Sequence, residues 1–418
     1  MENKWRGLAL AAMCLAAGSS WATDGMLSAG YGMTASGMGG AAMAESEDTF
    51  GGANNPASMV WVGNRVDLGA SLFSPIRQTS TTNFNGQAGP ATVNSEANNF
   101  VIPEFGYNHM LNNRTSLGVS VYGNGGMNSD YPGNVNGTGY NLLGGSGNLG
   151  VNLVQLIIAP TAAWKVNDST SIGIAPLIGY QQFSAQGLQA FGVQNAGTDS
   201  AAGYGVRLGV QTRLNSKLTF GASYASKVIM GRMSKYSTLF TNAGELDLPE
   251  NWSVGMQWKV IPKLALALDY ERINYSSSAT IGDSPWLMLQ GVPFGAVDGP
   301  GFGWSNINVI KLGAQYHLND NWTLRAGWNH TENPVQSGNV MIDMLVPGVI
   351  TDHLTLGASY DTGSGVWTVA YVHAFANSVT GPAIQANPSY PGFGSPIPGD
   401  NITIRMYQDT VGVAYAWK

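Results

Sequence analysis

The 418 residues include 56 glycines and one cysteine, with 44% hydrophobic and only 11% charged residues and a formal net charge of -6. Soluble domains carry about 25% charged residues and about 7% glycine, so this chain is poorly equipped for a soluble surface, while a mean hydropathy of -0.03 and the lack of any run of 18 apolar residues exclude a helical membrane bundle. The 12 Trp, 17 Tyr and 13 Phe exclude disorder, and an acidic balance with no Lys/Arg run excludes a nucleic-acid surface.

The first expected element is an export signal over residues 1-22. Lys4 and Arg6 precede an apolar stretch from Gly7 to Ala17, and Ser20-Trp21-Ala22 offers small residues at a cleavage site before Thr23. Cys14 lies in the removed segment, so the mature chain is expected to hold no disulfide. Without Glu2, Lys4 and Arg6 the chain keeps 17 basic and 24 acidic residues, a net charge of -7.

Residues 23-64 come next, rich in Gly, Ala, Met and Ser, with Glu45, Glu47 and Asp48 and a turn cluster at Gly51 to Ala57. A wet tail would leave Met26, Leu27, Tyr31, Met33, Met38 and Met43 uncovered, so a plug inside a barrel is the favoured reading.

From Arg65 the sequence alternates with period two, as in Val66, Leu68, Ala70 and Leu72 against Asp67, Gly69 and Ser71. The same pattern returns at Trp252 to Val260, Ile310 to Leu318 and Leu354 to Tyr360, one face apolar and the other mostly Gly, Ser, Thr, Gln and Asn. A soluble sandwich would show Lys and Glu on the polar face, whereas a membrane barrel turns small polar residues to its lumen. Short breaks at Asn112-Asn113, Asn167-Asp168, Asn215-Ser216, Ile261-Pro262, Asn319 to Asn321 and Asp361 to Gly365 give six tight turns. Seven longer stretches, near 78 to 98, 124 to 151, 185 to 202, 233 to 250, 279 to 303, 333 to 349 and 378 to 403, give loops. Six turns and seven loops connect fourteen strands, so residues 65-418 are expected to form an all-β, 14-stranded antiparallel transmembrane β-barrel. Trp258, Tyr270, Trp322, Trp328, Trp367 and Trp417 fit interfacial girdles, and Val411, Val413, Tyr415 and Trp417 alternate in the last strand.

Apolar residues on long outer loops are unfavourable unless they cover each other or a ligand. Tyr140, Leu142, Leu143, Leu149, Val151, Leu153 and Leu156, then Phe183, Leu188 and Phe191, are therefore candidate ligand contacts, with simple loop packing as the alternative. Tyr122-Gly123-Asn124-Gly125-Gly126-Met127 follows the expected third strand, where glycine permits a kink, a bulge or an ordinary turn.

Gly30 to Met33, Ser36 to Ala41 and Asn55-Pro56-Ala57 resemble the start of the FadL/TodX family of outer-membrane transporters for hydrophobic compounds. The similarity continues at Leu248 to Trp252, Asp320 to Gly327 and Glu332 to Val335. The resemblance implies a barrel in the bacterial outer membrane whose N-terminal hatch includes Asn55, Pro56 and Ala57, and whose third strand is kinked so that ligand leaves sideways into the bilayer. That exit role falls on Gly123, Gly125 and Gly126. Fatty-acid members are expected to hold the carboxylate with lumen cations, but the fifth strand here reads Tyr180-Gln181-Gln182-Phe183. Arg207, Lys227, Arg232 and Arg325 are substitutes, with ordinary ion pairing as the alternative. Long-chain fatty acid is the leading substrate because it is the commonest in the family. Neutral or aromatic hydrocarbons are the alternative, and a porin for polar solutes the alternative from another class.

Gly145-Ser146-Gly147-Asn148-Leu149-Gly150 matches a dinucleotide fingerprint but lies in an outer loop, outside any βαβ unit. His109, His317, His330, His353 and His373 show no metal-ligand spacing. No cofactor, metal, nucleic-acid partner or enzymatic activity is expected, and the barrel is expected to act as a monomer among outer-membrane lipids.

Overall fold

The computed structural model describes residues 24–84, 88–385 and 394–417. The expected export segment, with Cys14, Thr23 and the cleavage site, lies outside the described residues.

Fourteen strands form the wall: β1 Arg65–Thr81, β2 Phe100–Asn112, β3 Thr115–Tyr131, β4 Leu149–Lys165, β5 Thr170–Gln186, β6 Asp199–Arg213 and β7 Leu218–Ala225. They continue as β8 Glu250–Ile261, β9 Leu264–Asn274, β10 Ile307–His317, β11 Trp322–Thr331, β12 Asp352–Asp361, β13 Gly365–Ile384 and β14 Pro396–Trp417. Each pairs antiparallel with its chain neighbour, and β14 returns to β1 in a ladder from Val66↔Trp417 to Thr81↔Ile402. Closure removes the free edges that hydrocarbon cannot hydrogen-bond. Two short strands sit on the wall, Ala91–Asn94 against β1 and Ile229–Met230 against β6.

The alternation seen in the sequence separates the two faces. On β12, Leu354 and Leu356 are 48% and 52% exposed, while Thr355 between them is 1% exposed. The exposed rows carry lipid-compatible side chains and the inward rows carry small or polar ones. No described helix is long and apolar enough to cross a membrane.

The lumen is filled by residues 24–64, nearly all of them buried. The segment makes a short helix at Met33–Ser36, a 3-10 turn at Pro56–Ser58 and a second short helix at Met59–Val62. It packs so closely that a Cβ on Gly221 of β7 would stand 1.8 Å from the Met43 carbonyl oxygen, and one on Gly209 of β6 would stand 2.1 Å from Asn55 Oδ1. Inward glycine thus supplies the recess in which the plug rests.

All six tight turns fall at one rim, but several loops are shorter than the sequence implied. The third strand runs through Gly123, Gly125 and Gly126 to Tyr131, and Leu149, Val151, Leu153 and Leu156 belong to β4 and not to a loop. Most of the expected loop from 378 to 403 is strand as well: β13 and β14 have 20 and 22 residues. A span needs about 9–11 residues, so these two strands project past the membrane.

Candidate functional site

The wall is interrupted between β2 and β3. Their ladder begins at Asn112↔Thr115 and ends at Phe105↔Val121. Beyond that point Phe100 to Glu104 of β2 pair with β1 alone, and β3 continues on β4 to Tyr131↔Leu149. The β3–β4 register shifts between Gly123 and Gly125, a bulge at the glycine cluster. From Asn124 to Ser129 every residue of β3 is buried, so the strand bends off the cylinder into the lumen. Arg77 of β1 holds the bend from inside by donating to the carbonyls of Asn128 and Ala97. Pro103 of β2, opposite the bend, has no N–H to give to a ladder.

The plug closes the inner side of this gap. Leu27 forms a bridge with Gly125, where a Cβ would lie 1.9 Å from the Met26 carbonyl oxygen. The Tyr31 hydroxyl donates to the Asn124 carbonyl at 3.1 Å, and the Tyr31 and Tyr122 rings lie 4.5 Å apart. Further along, Asn55 accepts the Ala57 N–H at 3.1 Å and donates to the carbonyls of Met43 and Val210 at 2.7 and 3.0 Å, tying the Asn55-Pro56-Ala57 turn to β6. Two ion-pair groups fix the rest: Glu47 with Arg325 at 2.7 Å, and Asp24 with Lys311 at 3.8 Å, where Lys311 also holds Glu271 at 2.6 Å. Burial pushes the Asp24 carboxyl up to about 7 against the pull of Lys311.

Above the plug, between the long loops, lies a narrow apolar cleft with about 520 Å³ of free space including its mouth. Leu143, Phe183, Leu188 and Phe191 line it, joined by Leu239 and Phe240, by Phe294 and Phe302, and by Ile342 and Leu345. Phe183 packs edge-on against Tyr236 and Phe240 at 4.7 and 4.6 Å. Among the described residues that line it none is charged, and Thr280 is the one hydroxyl. Next to Ile342, Asp343 is fully buried and accepts the Trp304 indole N–H at 3.2 Å, and burial raises its carboxyl well above the ordinary range. The Leu345 carbonyl accepts from Ser129 Oγ at 2.8 Å, so a cleft residue is joined to the bent part of β3.

Over residues 7–380 the sequence matches the family described as Outer membrane protein transport protein (OMPP1/FadL/TodX). The chain belongs to this family. Solved structures of similar fold include a Pseudomonas aeruginosa FadL homologue, with a TM-score of 0.71 at 16% identity, covering 94% of this chain and 99% of that one. The P. putida toluene transporter TodX gives 0.67 at 16% identity, with 93% and 99% covered. The Ralstonia pickettii toluene transporter TbuX gives 0.64 at 17% identity, with 93% and 98% covered. At these identities the likeness concerns the fold. The search of curated proteins gave no match. As a FadL/TodX protein, the chain is an outer-membrane β-barrel for transport of hydrophobic compounds.

In this FadL/TodX barrel the residues singled out in the sequence fall in three places. Leu143, Val151, Phe183, Leu188 and Phe191 meet in the cleft, and Leu142, Leu149 and Leu153 pack in the same apolar cluster. Tyr140 is 53% exposed and stands apart from the cleft, and Leu156 is buried on β4 outside that cluster. Of the four candidate cations, Arg325, Lys227 and Arg232 are paired with Glu47, Asp247 and Glu245. Arg207 donates to the Asn54 carbonyl at 3.2 Å and Ser223 Oγ at 3.4 Å. Sequence reasoning missed Arg77 and Pro103 at the gap; a proline inside an alternating run was the available signal for the second. It also missed the cleft residues of the later loops, whose meeting with Phe183 is set by tertiary structure alone.

Proposed function

We propose that this FadL/TodX protein takes up neutral hydrophobic compounds, hydrocarbons in preference to fatty acids, by passive flow down their gradient. The cleft captures the solute, displacement of the N-terminal hatch opens the way past Met26 and Leu27, and the solute leaves sideways through the gap at Gly123, Gly125 and Gly126. The observation that carries the substrate class is the uncharged lining of the cleft. A carboxylate brought there would lose water without gaining a cation, an unfavourable exchange of several kcal/mol. Lys227 and Arg232, the outer-loop cations considered as alternatives, are engaged by Asp247 and Glu245. Two of the similar folds are toluene transporters and one is a FadL homologue.

Competition binding to the refolded barrel tests this. Labelled toluene should bind saturably and be displaced by a neutral alkane, with oleate competing about tenfold more weakly or worse. Saturable oleate binding that toluene displaces only weakly would return the protein to the fatty-acid class.

A further inference from the structure

No run of cations occurs in the sequence, yet the fold gathers six on one arc of the rim that carries the short turns. The β2–β3 turn brings Arg114, the β4–β5 turn Lys165, the β6–β7 turn Arg213 and Lys217, and the β8–β9 turn Lys259 and Lys263. Asp168 is the one acid in these four turns and pairs with Arg114 at 3.1 Å. The next two turns, after β10 and β12, carry Asp320 and Asp361 and no Lys or Arg. The arc therefore covers one side of the rim.

Lys165 and Arg213 lie over the Trp61 ring of the plug, at 4.2 and 3.8 Å, on the lumen side of the rim. Like charges in the arc are direct neighbours. The Lys165 N–H donates to the Arg114 carbonyl at 2.8 Å, and the Lys259 N–H to the Lys217 carbonyl at 2.8 Å. Opposed like charges on neighbouring strands are unfavourable unless an anion lies between them. Beside the cations, Leu111, Val166, Leu214 and Ile261 are each more than half exposed, and Trp164 and Trp258 stand on the lipid face of the same strand ends. A site that joins cations to exposed aliphatic groups at a membrane interface fits an amphiphile with a phosphate head.

We infer that this arc binds the headgroups of anionic phospholipids in the inner leaflet of the outer membrane, their phosphates lying between Lys217, Lys259 and Lys263 and their acyl chains along Trp258. The pairing fixes the barrel's depth and turns one particular side of it toward anionic lipid.

The test titrates the purified barrel in neutral detergent with phosphatidylglycerol or phosphatidylcholine and counts retained lipid by native mass spectrometry. The protein should prefer phosphatidylglycerol by about tenfold. Lys217→Gln, Lys259→Gln and Lys263→Gln together should abolish that preference. Lys227→Gln, Arg232→Gln and Lys235→Gln together, on the opposite rim, should keep it. A Lys217→Gln, Lys259→Gln double variant gives the same reading if the threefold variant does not refold. Equal binding of the two lipids would overturn the inference and leave the arc to an acidic protein. Complete displacement by inorganic phosphate would overturn it too, by reducing the arc to a free-phosphate site, and so would an equal loss in the opposite-rim variant.

Discussion

The contact between plug and wall and the cleft above it are both buried, but they are built from opposite materials. At the plug, Glu47 meets Arg325, Asn55 bridges Met43 and Val210, and Asp269 accepts the N–H groups of Ala42 and Met43 at 2.7 and 2.9 Å. At the cleft, Phe183, Phe240, Phe302, Ile342 and Leu345 meet without a charge among them. Directional polar contacts specify one seated position, and water can replace them when the plug moves. Apolar contact makes no directional demand, so in the proposed capture role the cleft would admit many solutes of suitable shape. One region is made to fit in a single way, and the other sets no such geometric demand.

The largest expected effect breaks the seating. Gly221→Leu drives a side chain into the Met43 carbonyl, which a Cβ alone would approach to 1.8 Å. Nothing in a backbone carbonyl can rotate away, so the plug must leave its recess. Planar-bilayer recordings should show steady conductance in this variant and almost none in the parent or in Ala222→Leu, whose side chain lies on the outer face of the same strand. A variant as silent as the parent would mean that the plug tolerates another seat.

The next effect tunes the polar lock without steric damage. The Asp24 carboxyl, raised to about 7 by burial, is faced by Lys311 and Glu271, by the Asn329 amide, and by the Tyr275 hydroxyl on its own carbonyl. A raised carboxyl favours the protonated form in the seated state. Seating is therefore strongest below the ordinary carboxylate range and weakens as pH rises toward about 7. With the intrinsic rise of amide exchange with pH divided out, protection of the plug should fall between about pH 4 and pH 7 in the parent and stay flat in Asp24→Asn. A pH response that survives the substitution would assign it to another group.

The strand count was legible because each short turn carries Asn, Asp, Gly or Pro between alternating runs, a local signal that no distant contact overrides. Strand ends were less legible. Gly381, Pro382, Pro396 and Gly399 read as loop, yet β13 and β14 absorb them, with register shifts at Ala374/Asn377 and Pro382/Ile384. Bulges let the ladder tolerate residues that ordinarily end a strand. The cleft was legible by halves. Phe183, Leu188 and Phe191 stand near one strand end, whereas Phe240, Phe302 and Ile342 come from loops that only barrel closure brings together. The basic arc was invisible for the same reason, its members lying on four separate turns.

The smallest pair of effects separates class recognition from charge recognition. Phe183 contributes its ring to the cleft and to two aromatic neighbours. Phe183→Ala should weaken toluene binding about tenfold, the loss of roughly 1.4 kcal/mol of apolar contact. Arg232 is 62% exposed, 3.2 Å from Glu245, and outside the cleft lining. Exposed pairs of this kind contribute about 0–1 kcal/mol, so Arg232→Gln should leave toluene and oleate binding unchanged. If it instead weakened oleate alone, a cation would be taking part in capture. The contrast between a polar plug and an uncharged cleft would then fail at the step that chooses the substrate.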